Sequence, residues 1–186
     1  MQEKVREFQI ASGQPVGVGV LVDERLRTAL LKEEISELET ALLEEDRIEI
    51  LDALCDIKYV NDGTANELSI KLSGAAIPLS GVDWLAKLKE CDVTDVKLVD
   101  ECVHALAVGC GFSKSQLYEG LRRVHESNMS KFCTTVGEAD RTIEYYTSLG
   151  VECNLVRIGN SFVVKSKEGK TLKSVDYKRV YLEDLV

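Results

Sequence analysis

The sequence predicts a mainly α fold, a bundle of four to five helices followed by a small C-terminal β-meander. Three observations carry that reading. Leu26, Leu30, Leu31, Ile35, Leu38 and Leu42 recur at helical spacing over one long segment. The 186 residues include only two prolines, and 45% are hydrophobic against 30% charged, a composition that suits a helix-rich globular chain. Beyond residue 150 the pattern changes to short apolar segments, NLVRIG, SFVVKSK and KTLKSV, punctuated by Gly-Asn and Glu-Gly turns.

A short helix is expected in the first residues, and SGQPVGVGV after it reads as an irregular arm. Asp23 is a good N-cap for a helix reaching about Glu45, and Asp46 caps a second from about Arg47 to Tyr59 or beyond. The connection is so short that these two helices must be antiparallel neighbours. LSGAAIPLS, residues 72–80, is a break, after which VDWLAKLKEC and DVKLVDECVHALAVGC give two more helical patterns, the second ended by Gly109 and Gly111. Ser113 caps KSQLYEGLRRVHESNMSKF, with Leu117, Leu121, Val124 and Met129 as its stripe. A short helix then ends at Gly150. A composition shift near residues 134–138 divides an all-α domain, 1–134, from a small α+β module, 135–186.

The net charge of −9 argues against a nucleic-acid polymer as partner, because such proteins present a basic footprint. Six cysteines without CxxC spacing suggest buried, reduced thiols and no zinc knuckle. MQEKVREFQI is not a targeting segment, and no stretch approaches the ~20 apolar residues of a membrane span. A cytoplasmic protein with no membrane partner is expected.

The acids of the first two long helices carry the chemistry. With 100° per residue, Leu30, Leu31, Leu38 and Ala41 lie within about 60° of Glu34, and Glu37 borders that stripe. On the next helix Glu49, Asp52 and Asp56 fall within about 60° of each other beside Ala53, Ile57 and Val60, while Arg47 and Lys58 mark the opposite, wet face. Carboxylates on a core face are costly unless paired with cations or a metal. Hard oxygen donors without Cys or His suit Mg²⁺, with Mn²⁺ as a second choice. Glu33, Glu39, Glu44 and Glu45 read as ordinary solvated acids.

The pattern EExxE (Glu33, Glu34, Glu37), followed by ExxD (Glu49, Asp52) within EILDALCDIKYVNDGTA, resembles the all-α nucleoside triphosphate pyrophosphohydrolases, the MazG-like and phosphoribosyl-ATP pyrophosphohydrolase-like enzymes. VHESNMSKF at residues 124–132 and EGKTLKSVDY in the tail extend the resemblance to a phage and bacterial subgroup. The resemblance implies metal ligation by Glu34, Glu37, Glu49 and Asp52 with Asp56 in support, and a substrate contact from Asn128 and Lys131. It also implies a homodimer or homotetramer, and a Mg²⁺-dependent conversion of an NTP or dNTP to the monophosphate and pyrophosphate. Glu34 and Glu37 are then the candidates for activating water. The interval between Gly63 and SNMSK exceeds that of the small members, with residues 72–92 inserted, and Asn61 and Asp62 stand where apolar residues are expected; a polar pocket wall or a frayed helix accounts for them.

Blander readings stand beside these. Asn128 and Lys131, three apart on one helix face, also fit a C-terminal cap with a dipole-complementing lysine. Arg27, two turns before Glu34, reaches a phosphate or a neighbouring subunit's acid, or otherwise snorkels. Lys170 and Lys173 fit a solvated hairpin better than a phosphate site. Glu101 and His104 make a single ExxH, half of what a di-iron bundle requires, and His125 has no matching glutamate. GVGV at 17–20 lacks the Lys-Ser/Thr of a phosphate loop. The alternative to an enzyme is a metal-dependent nucleotide binder that sequesters its ligand without turnover; a bundle with merely solvated acids is the third reading.

Overall fold

The computed structural model describes residues 1–14, 16–17, 21–72, 81–167 and 169–186. Among them are seven helices: α1 (Gln2–Ser12), α2 (Glu24–Glu44), α3 (Arg47–Glu67), α4 (Trp84–Glu90), α5 (Val96–Gly109), α6 (Lys114–Met129) and α7 (Val136–Ser148). Strands β1 (Cys153–Ile158) and β2 (Ser161–Ser166) form an antiparallel hairpin, and a 3-10 turn, Glu183–Leu185, ends the chain. The mainly α class with a small C-terminal sheet is as the sequence predicts. The bundle's long helices and the short α1, α4 and α7 all fall on segments whose sequence reads as helical.

The capping logic holds where the hairpin is built. Asp23 accepts from Leu26 N at 3.0 Å, and Asp46 accepts from Ile48 N and Glu49 N at 2.9 and 3.1 Å. Glu45 turns the chain at φ 56°, so two residues reverse its direction and lay α2 against α3. Ser113 and Gln116 form a capping box at the start of α6. α3 is the hub, packing on α1, α2, α5 and α6. Leu38, Leu51, Leu54, Ile57, Leu117 and Leu121 are fully buried around it.

Gly120 lets α6 approach α3 closely: a Cβ there would stand 2.8 Å from Cys55 Sγ. A second, smaller cluster of Cys133, Ala139 and Val164 joins α7 to the hairpin. The last residues then return to the bundle, where Leu182 is 1% exposed in the main core. Gln116 Nε2 donates to Leu185 O at 2.6 Å.

Three expectations are corrected. Lys58 is not on a wet face; it is 4% exposed, its Nζ between Asp62 on its own helix and Asp100 of α5, 2.9 Å from Asp100 Oδ1. Residues 61–62 are neither a pocket wall nor a frayed end, because α3 runs to Glu67 and buries them; Asn61 Nδ2 donates to Val96 O at 2.8 Å. The meander's third segment forms no strand among the described residues. KTLKSV is held by the Lys165–Thr171 bridge and by Leu172 N donating to Val164 O at 2.8 Å.

All six cysteines are free. No helix among the described residues is long and apolar enough to cross a membrane. Residues 73–80, most of the break at 72–80 and part of the inserted interval, lie outside the described residues, as do residues 18–20 of GVGV and Glu168 of the tail turn.

Candidate active site

The α2–α3 hairpin sets its acidic faces toward a cleft of about 940 Å³ whose other walls come from α1, α6 and the tail. Glu34, Asp52 and Asp56 line it, and so do Arg27, Asn128 and Lys131. All three acids are half-buried. Glu37 and Glu49 are exposed and not in the cleft wall; Glu49 lies with Oε1 4.0 Å from Arg179 Nη2. Glu49 was expected on the core side. It sits in the first turn of α3, where solvent reaches it and its side chain is 54% exposed.

Burial and mutual repulsion dominate the electrostatics. Desolvation first, then Glu37, Glu33 and Asp52, push the Glu34 carboxyl up to about 7, against Lys131. Desolvation, Glu49 and Glu37 raise Asp52 to about 6, with Arg179 opposing. Asp56 lies well above the usual carboxylate range, chiefly through desolvation and then Asp52 and Glu34. Desolvation lowers Lys131 while Asp56 pulls the other way.

The donor chemistry here is that of a cation site, without the geometry of one among the described residues. Asp52 Oδ1 is buried with no hydrogen-bond partner, and the surrounding oxygens repel one another. The donors are carboxylates alone, which suits a hard divalent ion. They line a wall and do not close into a cage: among the described residues no three His, Cys, Asp or Glu side chains stand close enough to hold one ion.

Arg27 is committed elsewhere. It is 6% exposed and ion-paired to Glu67, with Nη2 also donating to Gln14 Oε1 at 3.3 Å. Gly63 makes the room, since a Cβ there would lie 3.1 Å from Arg27 Nη1. Gln9 of α1 joins the group, Nε2 donating to Gly63 O at 3.0 Å. Lys131 Nζ donates to Asn128 Oδ1 at 2.5 Å, but only Asn128 is on α6; Lys131 follows the Ser130 C-cap in the turn that ends the helix, so the two meet without sharing a helix face. His104 is buried, with Nδ1 2.8 Å from Asp100 O. His125 shares a hydrogen bond with the Tyr59 hydroxyl at 3.1 Å, and desolvation lowers its pKa.

Sequence reasoning missed Gln9, Glu67, Tyr177 and Arg179 as parts of this wall, and it placed Lys170 and Lys173 in solvent. Both lysines are exposed, yet they line the cleft. The one signal available was the tail motif itself, which ends in Tyr177; Ser127 Oγ donates to the Tyr177 hydroxyl at 3.0 Å and folds the tail over α6.

The fold and site thus define an all-α hairpin that presents carboxylates to a cleft with lysines on its other wall. Residues 1–76, which hold both acid-bearing helices, match the family model described as phosphoribosyl-ATP pyrophosphohydrolase, within the MazG-like all-α superfamily. An uncharacterized protein of Acanthamoeba polyphaga mimivirus is 29% identical over 241 residues, covering 99% of this chain and 94% of the relative. No solved structure matches.

Proposed function

We propose that this chain is a Mg²⁺-dependent nucleoside triphosphate pyrophosphohydrolase, with Mn²⁺ as a workable substitute, that converts an NTP or dNTP to the monophosphate and pyrophosphate. The observation that carries the reading is the convergence of Glu34, Asp52 and Asp56 on a cleft large enough for a nucleotide. The family match over residues 1–76 supports it, and members of that family are typically divalent-metal dependent.

The cation's protein ligands would be drawn from Glu34, Asp52 and Asp56 on the cleft wall, with water and substrate phosphate completing its shell, and Glu37 and Glu49 stand at the exposed margin. When bound, the cation neutralises charge on the phosphate oxygens and acidifies water. Whichever of Glu34 and Glu37 the cation leaves free would take the proton of the attacking water, and Glu34 is the one of the two that lines the cleft. Water oxygen then joins the α-phosphorus, the bond to the α–β bridging oxygen breaks, and pyrophosphate leaves with the electron pair. Asn128 at the end of α6 and Lys131 in the turn after it would orient the substrate. Arg27, held by Glu67, positions the far wall of the cleft. A homodimer or homotetramer belongs to the same reading and is checked by sedimentation; the exposed Leu43 of α2, at 86%, supports an apolar contact there.

The test is incubation of the full chain with each NTP and dNTP plus Mg²⁺, with monophosphate and pyrophosphate measured. Stoichiometric release of both is expected. Metal-dependent binding without turnover would replace the enzyme with a nucleotide-sequestering protein.

A further inference from the structure

The cleft has a second chemical wall that the acids do not explain. Facing it are the amines of Lys131 in the turn after α6, Lys165 on β2, and Lys170 and Lys173 in the tail. Among the described residues none of these four forms an ion pair, although the chain as a whole carries −9. Unpaired like charges gathered on one concave surface repel one another. Lys173 and Lys170 are close enough to Lys131 to disfavour its charged form.

The backbone carrying the tail lysines is held in place. Lys170 O accepts from Ser166 N at 2.8 Å, and Leu172 between the lysines is tied to Val164 O at 2.8 Å. Ser174, next to Lys173, is 5% exposed and donates through Oγ to the carbonyl of Ser130, the C-cap of α6 and the residue before Lys131, at 3.0 Å. Lys178 N returns a bond to Ser130 Oγ at 2.9 Å. Lys173 Nζ rests 4.5 Å from the Tyr177 ring centroid. Such anchoring fixes where the amines stand relative to α6, at a cost in ordering that a solvated hairpin has no need to meet.

We infer that Lys170 and Lys173, together with Lys131, form a polyphosphate-binding site on the cleft wall contributed by the same chain that supplies the carboxylates. The ligand class is a linear polyphosphate, here the β and γ phosphates of a nucleoside triphosphate, and this identification of the ligand rests on the hydrolase reading above. Ammonium groups bind phosphate as point charges, so several on one wall favour a longer chain of phosphates over a single one. The tail thereby becomes the element that selects triphosphates, and the site needs no second copy for this wall.

Titration calorimetry of the full chain in EDTA, with inorganic tripolyphosphate, pyrophosphate and orthophosphate as probes, tests the inference without metal. Affinity is expected to rise with phosphate number. Lys170→Ala/Lys173→Ala should weaken tripolyphosphate about tenfold or more, as loss of charge-assisted contacts implies, while the exposed Lys97→Ala on α5 leaves it unchanged. Arginine at both positions should retain most of the binding. With Mg²⁺ and NTP, the double alanine variant should raise KM more than it lowers kcat. Tripolyphosphate binding equal in the variant and the parent overturns the inference, and leaves pyrophosphate release by the parent untouched. Lysine-dependent binding in a parent that releases no pyrophosphate would support the inference while overturning the hydrolase reading.

Discussion

Arg27 of α2 is ion-paired to Glu67 near the C-terminal end of α3, with the two side chains only 8% and 6% exposed. The pair closes the wall between the α2–α3 hairpin and α1, because Gln9 also reaches Glu67 Oε1 at 3.4 Å and accepts from Asn66 at 2.9 Å. Removing one partner leaves a buried charge uncompensated, so Arg27→Met is expected to cost about 3–5 kcal/mol in urea denaturation. Arg27→Met/Glu67→Leu should recover most of that loss. Equal losses in single and double variants would show that packing, not charge, governs the site.

The acid wall yields opposite effects on stability and activity. Asp52→Asn and Glu34→Gln remove repulsion among groups that no cation offsets in metal-free protein, so each is expected to raise the metal-free melting temperature. The same changes should lower Mg²⁺-dependent pyrophosphate release on the order of 100-fold or more, the usual range for loss of an acid–base group. A variant that loses stability in EDTA contradicts the burial of a strained acid cluster.

The pH dependence follows from the same shifts. Glu34 rises from 4.5 to about 7 and Asp52 from 3.8 to about 6, so between those values the folded chain holds protons that the unfolded chain has released. Their contribution is complete below the unfolded values and is lost as pH climbs through the folded ones. Metal-free protein is therefore expected to lose stability from about pH 4.5 to 7 relative to Glu34→Gln/Asp52→Asn, and Mg²⁺ should remove most of that difference. Melting curves across pH, with and without Mg²⁺, read this directly. A parent that gains stability over the window relative to the variant reverses the sign and overturns the assignment.

The hairpin and three of its acids were legible because caps, period and short connection are local. Glu34, Asp52 and Asp56 share faces that a wheel can count. Glu49 was misread because a wheel gives direction but not how far neighbouring helices extend, and the first turn of α3 stays in solvent. Lys58 was misread for the complementary reason: Asp62 one turn on is visible within α3, but Asp100, its other partner, lies on α5, which covers this face. The tail lysines were invisible as cleft residues because Ser127 and Ser130 draw the chain back over α6 by long-range hydrogen bonds. The third tail segment meets β2 through one isolated bridge at Lys165–Thr171 and two backbone hydrogen bonds, too few to make a strand of it.

That buried group of α3 and α5 makes its own forecast. Lys58 is the cation for two buried carboxylates, and desolvation keeps Asp62 raised despite its presence. Lys58→Met should cost about 3–5 kcal/mol, whereas Asp100→Asn, which leaves one pair intact, should cost less. Chemical denaturation of both variants checks the order. A Lys58→Met loss within the ~0.5 kcal/mol of ordinary surface changes would return Lys58 to the wet face.

Gly120 sets how closely α6, which ends at Asn128 and Met129, packs on α3 beside Leu51 and Cys55, the neighbours in sequence of Asp52 and Asp56. A Cβ at this position would meet Cys55 Sγ at 2.8 Å, with Leu51 Cγ at 3.7 Å and Leu182 Cδ2 at 3.8 Å behind it. Alanine in a helix interior is favoured over glycine by about 1 kcal/mol, and overpacking a well-filled seam costs about 1–3 kcal/mol. Gly120→Ala is thus expected to be neutral to destabilising by up to about 2 kcal/mol, and to raise KM by splaying the two helices. In a Cys55→Ala background the obstructing sulfur is gone, so the same change should stabilise by up to about 1 kcal/mol. Urea midpoints of the four proteins close the cycle. A Gly120→Ala effect of the same sign and size in both backgrounds would mean that Cys55 does not set the α3–α6 distance.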